Sequence, residues 1–246
     1  MHAIILAAGI GNRLGNHANN LPKSLLEFAG KSLLHRHIEL LFSFDINTIH
    51  IITGYQQESV MNHVADLSGD IRFIQNPRYT EGSLISLGCA KDILLNQPEF
   101  ILMDADVLYE KSILKKLIDS QHNNCLLIDY DFVAGDEPVK ICINNEDQII
   151  EFRKQVAPGL PIVKQGESVG FFKFNRHVGR QLMEHIEHFL SLGKNDTPYE
   201  EAIRACILST PEQFAYEDIT GLPWIEIDFP EDMIRAREEI LPQIDN

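Results

Sequence analysis

Two cations and a few carboxylates are what this sequence offers to chemistry. Residues 6–23 read LAAGIGNRLGNHANNLPK. Gly9, Gly11 and Gly15 permit positive φ and leave backbone N–H groups uncovered, so the segment can bend closely around a polyanion and present several donors at once. Arg13 adds a planar, permanently charged fork, and Lys23, after Pro22 has stiffened the return of the chain, adds a compact second cation. Phosphate is the anion that suits them. Far along the chain, Asp104 and Asp106 end one apolar run, and Glu226 and Asp228 fall on one face of another by period two. A hard divalent cation takes one or two such carboxylates and completes its shell with phosphate oxygens and water. Asp106 and Asp228 are the expected ligands; Glu226 is either a third or an exposed strand residue paired with a lysine.

These groups need a frame. Residues 1–5, with β-branched Ile4 and Ile5, read as a buried strand that feeds straight into the glycine loop. Leu33, Leu34, Leu40, Leu41 and Phe44 then form a helical stripe with Ser32 as its N-cap, and His37 beside that stripe reads as packed and hydrogen-bonded rather than a ligand. A strand over 48–53, a helix over about 57–67 and a strand over 71–75 repeat the pattern. Residues 76–88 pass through Gly82 and Ser83 into a helix ending near 95, where Ser83 either caps the helix or, with Gly82, contacts a nucleotide. The run 99–103 is the next buried strand, and Asp104 and Asp106 follow it. Strand and helix in this rhythm imply right-handed βαβ units and a largely parallel sheet. Ligands of open α/β sheets gather beyond the carboxyl ends of the strands, where the loop and the two aspartates both fall.

From Cys125 onward the runs shorten, with turns at Asn144-Asn145 and around 158–161, as in a partly antiparallel insertion that extends the sheet and covers an acceptor substrate. Two amphipathic helices over about 176–192 and 198–208 follow, then a strand over 224–228 and a terminal helix over 230–241 opened by Pro230. His177, His185 and His188 lie near one another on the first of these helices and read as a wet surface rather than a zinc site. The expected organisation is one domain over 1–246: a nucleotide-binding half to about 124, an acceptor-binding part over about 125–223, and a metal-binding strand and helix over 224–246.

Composition narrows the partners. Lys and Arg number 21 against 36 Asp and Glu, a net charge of −15, which argues against nucleic acid or an anionic membrane as a partner and requires an anionic ligand to be held by local cations and metal. Cys89, Cys125, Cys142 and Cys206 are scattered without zinc or disulfide spacing, and no leader or membrane-length apolar run is evident, so a cytoplasmic location is expected.

The loop is not a Walker A motif, since no G-K-[ST] follows a glycine at the required interval, and it lacks the third glycine of a dinucleotide fingerprint. L-A-A-G-x-G-x-R-L followed by L-P-K-S-L-L instead resembles the signature of nucleotidyltransferases that join a nucleoside triphosphate to a phosphorylated small molecule. With the strand-terminal Asp106 and the late segment W-I-E-I-D-x-P-E-D-M, the chain is similar to the phosphocholine and aminoalkylphosphonate cytidylyltransferase group of that superfamily. The resemblance implies an α/β fold: a Rossmann-like, mixed, mainly parallel sheet flanked by helices, of the nucleotide-diphospho-sugar transferase type, with a small antiparallel acceptor-binding insertion. It also implies CTP as donor, Mg²⁺ as cofactor and a small phosphorylated or phosphonate acceptor. By position, Leu6, Ala8 and Gly9, with Gly11, would line the nucleotide near Asp104, Arg13 and Lys23 would bind its phosphates, and Asp106 with Asp228 would hold metal.

Asn12 replaces the threonine of many sugar-specific relatives, and Glu167-Ser168-Val169-Gly170 lacks the asparagine of their E-x-N-G pattern, which lowers a sugar phosphate as acceptor. A cationic head group would suit carboxylates and aromatic faces, and Asp129, Tyr130, Glu167, Asp196, Tyr199 and Glu200 are the available pool, unless they form a solvated acidic face. Lys140 and Lys154 either bind the acceptor phosphate or balance nearby acids. A sugar-1-phosphate nucleotidyltransferase is the alternative; a catalytically silent nucleotide-binding regulator is disfavoured because Arg13, Lys23 and Asp106 are all present.

Overall fold

The computed structural model describes residues 1–11, 13–14 and 21–244. In chain order the elements are β1 (His2–Ala7), the short hairpin β2 (Glu27–Phe28) and β3 (Lys31–Ser32), α1 (Leu33–Ser43), β4 (Thr48–Thr53), α2 (Gln57–His63), β5 (Asp70–Gln75), α3 (Ser83–Cys89), α4 (Lys91–Asn96), β6 (Glu99–Asp104), β7 (Val107–Tyr109) and α5 (Lys111–Asp119). The second half supplies β8 (Cys125–Asp129), β9 (Lys140–Ile143), β10 (Ile149–Arg153), β11 (Lys164–Asn175), α6 (Arg176–Ser191), α7 (Glu200–Ser209), β12 (Ala215–Asp218), β13 (Trp224–Glu226) and α8 (Pro230–Arg235).

The central order β6-β1-β4-β5 is parallel, as expected of βαβ units. β11 then joins β6 antiparallel and continues the same sheet into β9, β10 and β8, with β12 parallel to β8. Alternation along the strands divides two cores. Ile4, Phe100, Leu102, Phe172 and Phe174 face α3, α4, α6 and α7, while Ala3, Ile5, Ile101, Met103 and Phe171 face α1, α2 and α5. The result is a mixed, mainly parallel sheet with helices on both faces. A third cluster, in which Leu14, Phe28 and Leu33 pack on Leu108, Ile225, Ile227 and Ala236, ties the glycine loop to the C-terminal segment.

Ser32 caps α1 as expected, its Oγ accepting the His35 N–H at 3.1 Å, and His37 is fully buried with Nδ1 at 3.3 Å from the Tyr109 hydroxyl. Several boundaries differ. The helix expected to reach 67 stops at His63; that expected over 83–95 breaks at Ala90 into α3 and α4; and the terminal helix shortens to α8, followed by a π-helical turn over Ala236–Ile240 and a 3-10 turn over Leu241–Gln243. β7, α5, β12 and the β2-β3 hairpin are additional. Among the described residues, no helix is long and apolar enough to cross a membrane.

Candidate active site

The carboxyl ends of β1 and β6 open into a cleft of about 460 Å³, whose walls include Leu6, Ala8, Gly9, Gly11, Gly82, Ser83, Tyr199 and Glu200 as well as the charged residues described next. At one end stand Arg13 and Lys23. Gly11 has φ +72°, and a Cβ there would overlap the Lys23 side chain, so the glycine lets the loop close on the lysine stem. Asn12 and Gly15 lie outside the described residues.

Lys23 Nζ donates to Asp228 Oδ1 at 2.5 Å and to Asp106 Oδ2 at 3.1 Å. Burial alone would push the ammonium down, but the two aspartates outweigh it and hold the pKa up at about 12. Arg13 Nη1 bonds Asp228 Oδ2 at 2.7 Å and Glu137 Oε2 at 3.0 Å, while its guanidinium lies 5.6 Å from the Phe229 ring centroid. Asp228 is depressed below the usual carboxylate range: burial opposes this, and Lys23 and Arg13 override it.

Asp106, Glu226 and Asp228 each offer a carboxylate oxygen, and these oxygens lie within 4.8 Å of one another; among the described residues they are the one such group. β7 and β13 pair antiparallel with Glu226 opposite Val107, and the Ile227 N–H donates to the Asp106 carbonyl at 2.9 Å, so backbone register brings the three acids together. The strand ends at Glu226 rather than Asp228. Glu226 stands in the cleft, reached by solvent yet flanked by protein; burial first, then Asp106 and Asp228, push its pKa up to about 8. Hard oxygen donors in this number suit Mg²⁺, Ca²⁺ or Mn²⁺, and the ammonium seated between two of them marks a position built for positive charge.

Asp104 sits deeper than the others, and burial first, then Asp106, holds its pKa well above the usual range. The Tyr199 hydroxyl donates to its Oδ2 at 2.7 Å, and a Cβ at Gly170, φ +79°, would overlap the same oxygen. Ser83 does not cap α3: Gly82 occupies the N-cap without a side-chain bond, and Ser83 Oγ accepts the Tyr199 N–H at 3.0 Å. Glu200 Oε2 is buried without a hydrogen-bond partner, and burial raises its pKa.

A second cavity of about 450 Å³ shares Glu226 and Asp228 with the first. β11 register puts Glu167 between Asp129 of β8 and Lys140 of β9. Asp129 is held by the Trp224 indole N–H at 2.7 Å, and Glu167 is pushed up to about 7 by burial and then by Asp129. Phe132, Phe229, Asp131, Asp136, Glu137, Asp232 and Arg235 also line this cavity, although the sequence assigns none of them a site role. They lie on the aperiodic 131–138 loop and after β13, where only three-dimensional closure brings them near Glu167.

Lys154 Nζ reaches Glu137 Oε2 at 3.1 Å and borders a small void between the cavities with Glu200 and Glu226. Lys140 does not join it: its Nζ donates to the carbonyls of Gly135 and Lys154, each at 2.6 Å, and tethers the 131–138 loop. Asp196 lies against Gly82 on the other cleft rather than in the second cavity, and the Tyr130 side chain packs on the core.

Residues 3–156 match the family described as the MobA-like NTP transferase domain. The chain belongs to the MobA-like NTP transferase family. It is an enzyme of the nucleotidyltransferase class. CTP:phosphoglutamine cytidylyltransferase of Campylobacter jejuni is 26% identical over 251 residues, covering 95% of this chain and 98% of that protein. Choline-phosphate cytidylyltransferase of Streptococcus pneumoniae is 37% identical over 107 residues, 43% of this chain and 44% of that protein. The chain spans 52% and 51% of the length of two bifunctional relatives. A solved CTP:phosphocholine cytidylyltransferase from S. pneumoniae superposes with a TM-score of 0.77 at 23% identity, covering 96% of this MobA-like chain and 97% of its own. That likeness shows a shared nucleotidyltransferase fold.

Proposed function

We propose that this MobA-like enzyme is a Mg²⁺-dependent cytidylyltransferase that transfers CMP from CTP to a small phosphate or phosphonate bearing an amine or ammonium group. The observation that carries the acceptor is the second cavity, where Asp129, Glu167, Trp224 and Phe229 surround space contiguous with Glu226 and Asp228. Carboxylates with aromatic faces bind a cationic head. The names of the cytidylyltransferase relatives support CTP.

An oxygen of the acceptor phosphate attacks the α-phosphorus in line; the new P–O bond forms as the bond to the bridging oxygen breaks, and that electron pair leaves with pyrophosphate. The acceptor is already anionic, so the reaction needs no enzyme nucleophile. Lys23 and Arg13 exchange their carboxylate partners for triphosphate oxygens, backbone N–H groups of residues 9–11 add neutral donors, and Lys154 exchanges Glu137 for the acceptor phosphate. Asp106, Glu226 and Asp228 would hold Mg²⁺, which when bound supplies charge neutralisation at the reacting phosphates.

The test is pyrophosphate release with Mg²⁺, crossing CTP and UTP against phosphocholine, phosphoethanolamine, 2-aminoethylphosphonate, phosphoglutamine and hexose 1-phosphates. Turnover confined to CTP with an amine-bearing acceptor is expected. Turnover of hexose 1-phosphates alone would replace this reading with a nucleotide-sugar synthase.

A further inference from the structure

The first cleft has a charged end, at Arg13, Lys23 and the three acids, and an end without cations, where Leu6, Ala8 and Tyr79 meet Ser86 of α3. Phosphates belong at the first end, so the base belongs at the second. One side chain there has a hydrogen-bond direction imposed by its neighbours. Asn76, fully buried at the end of β5, is anchored by its own N–H to the Thr53 carbonyl at 2.7 Å. Its Oδ1 accepts the Arg78 N–H at 2.8 Å. A backbone N–H can only donate, so this bond fixes which end of the amide is oxygen. Asn76 Nδ2 must therefore donate to its neighbour, Ser86 Oγ, at 3.0 Å. Ser86 is only 5% exposed, and no acceptor among the described residues takes its hydroxyl proton. The proton is left to serve the cleft.

We propose that Ser86, oriented by Asn76, is the nucleobase-selecting residue, its O–H donating to N3 of cytosine. The assignment rests on the cytidylyltransferase reading. At N3 cytosine carries a lone pair and uracil an N–H; with Oγ accepting from Asn76, the hydroxyl proton completes a bond to cytosine N3, whereas against uracil Oγ can only turn its second lone pair to N3–H and its own buried proton is left without an acceptor. A site that hydrogen-bonds one ligand rejects an analogue that leaves its buried polar group unpaired.

The experiment is calorimetric titration of CTP and of UTP, each with Mg²⁺ and without acceptor, into the intact protein and its Ser86→Ala and Asn76→Asp variants. Thermal melts check folding, and steady-state kinetics give the acceptor KM. Ser86→Ala is expected to weaken CTP about tenfold, the size of one neutral hydrogen bond, while UTP binding stays level or improves. Asn76→Asp is expected to act in the same direction, because a carboxylate accepts the Ser86 proton and turns the donor away from the cleft. The acceptor KM should not move in either variant. A wild-type preference for CTP that survives Ser86→Ala in a folded protein overturns the assignment alone. Wild-type protein that binds UTP as tightly as CTP overturns the cytidylyltransferase reading and the assignment with it.

Discussion

Glu167 is where the acceptor's charge and the solution pH meet. Burial and Asp129 raise its pKa to about 7, so it gains charge as pH rises from 6 to 8. On the proposed reading an ammonium head binds the carboxylate form. The acceptor KM should therefore fall several-fold across that range, and Glu167→Gln should flatten the part of the profile that acceptor phosphate titration does not explain. Arg13→Ala and Asp106→Asn test the other cavity: each is expected to lower kcat/KM by roughly a hundredfold or more, as loss of one preorganised charge contact does. Circular dichroism should stay unchanged, since neither side chain lies in a core cluster. These residues were legible as types at positions. Trp224 was legible only as part of a motif, because its contribution is an indole N–H aimed at Asp129, 95 residues away. Nothing local encodes that bond.

At the scale of elements, the strands of the parallel core were readable because they are apolar on both faces, as TIHIIT and EFILM are. β7 is not legible because its three residues, fused directly to Asp104-Ala105-Asp106, carry no period, and neither is α5, because lysines interrupt a helix of only 9 residues. The second half is partly antiparallel, as its short runs predict, and its key member is β11, whose 12 residues pair antiparallel with β9, β8 and β6 in turn, a length that no local pattern announces. Gly170 lies midway along it, in a left-handed conformation against Asp104. Gly170→Ala should destabilise the protein by about 1–3 kcal/mol in urea titrations. It should also lower kcat, because β6 ends at the displaced Asp104, two residues before Asp106. Full activity with unchanged stability would show that the strand yields there without disturbing the site.

Across the whole molecule, His37 links the α1 layer to the sheet, packed on Tyr109 and Phe171. Burial lowers its pKa from 6.5 to about 4. Between those values the unfolded chain binds the extra proton, so the stability contribution is complete above about 6.5 and disappears as pH falls towards 4. The loss amounts to roughly 3 kcal/mol at about 1.4 kcal/mol per unit. His37→Leu should flatten the dependence of urea midpoint on pH over this interval.

On the reading that Asp106, Glu226 and Asp228 hold a metal ion, Lys23 has a consequence for how the enzyme lives without it. Three acids in one cleft would repel one another and make folding depend on a cation from outside, yet the chain supplies its own. The cleft behaves as an ion exchanger carrying a tethered resident ion. Chelation by EDTA should therefore stop turnover while leaving the melting temperature within about 1 °C of its value in Mg²⁺, a shift smaller than even a single kcal/mol would produce. On the proposed reading, loss of the ion would leave an idle but intact stock of this protein, ready to resume when the ion returned.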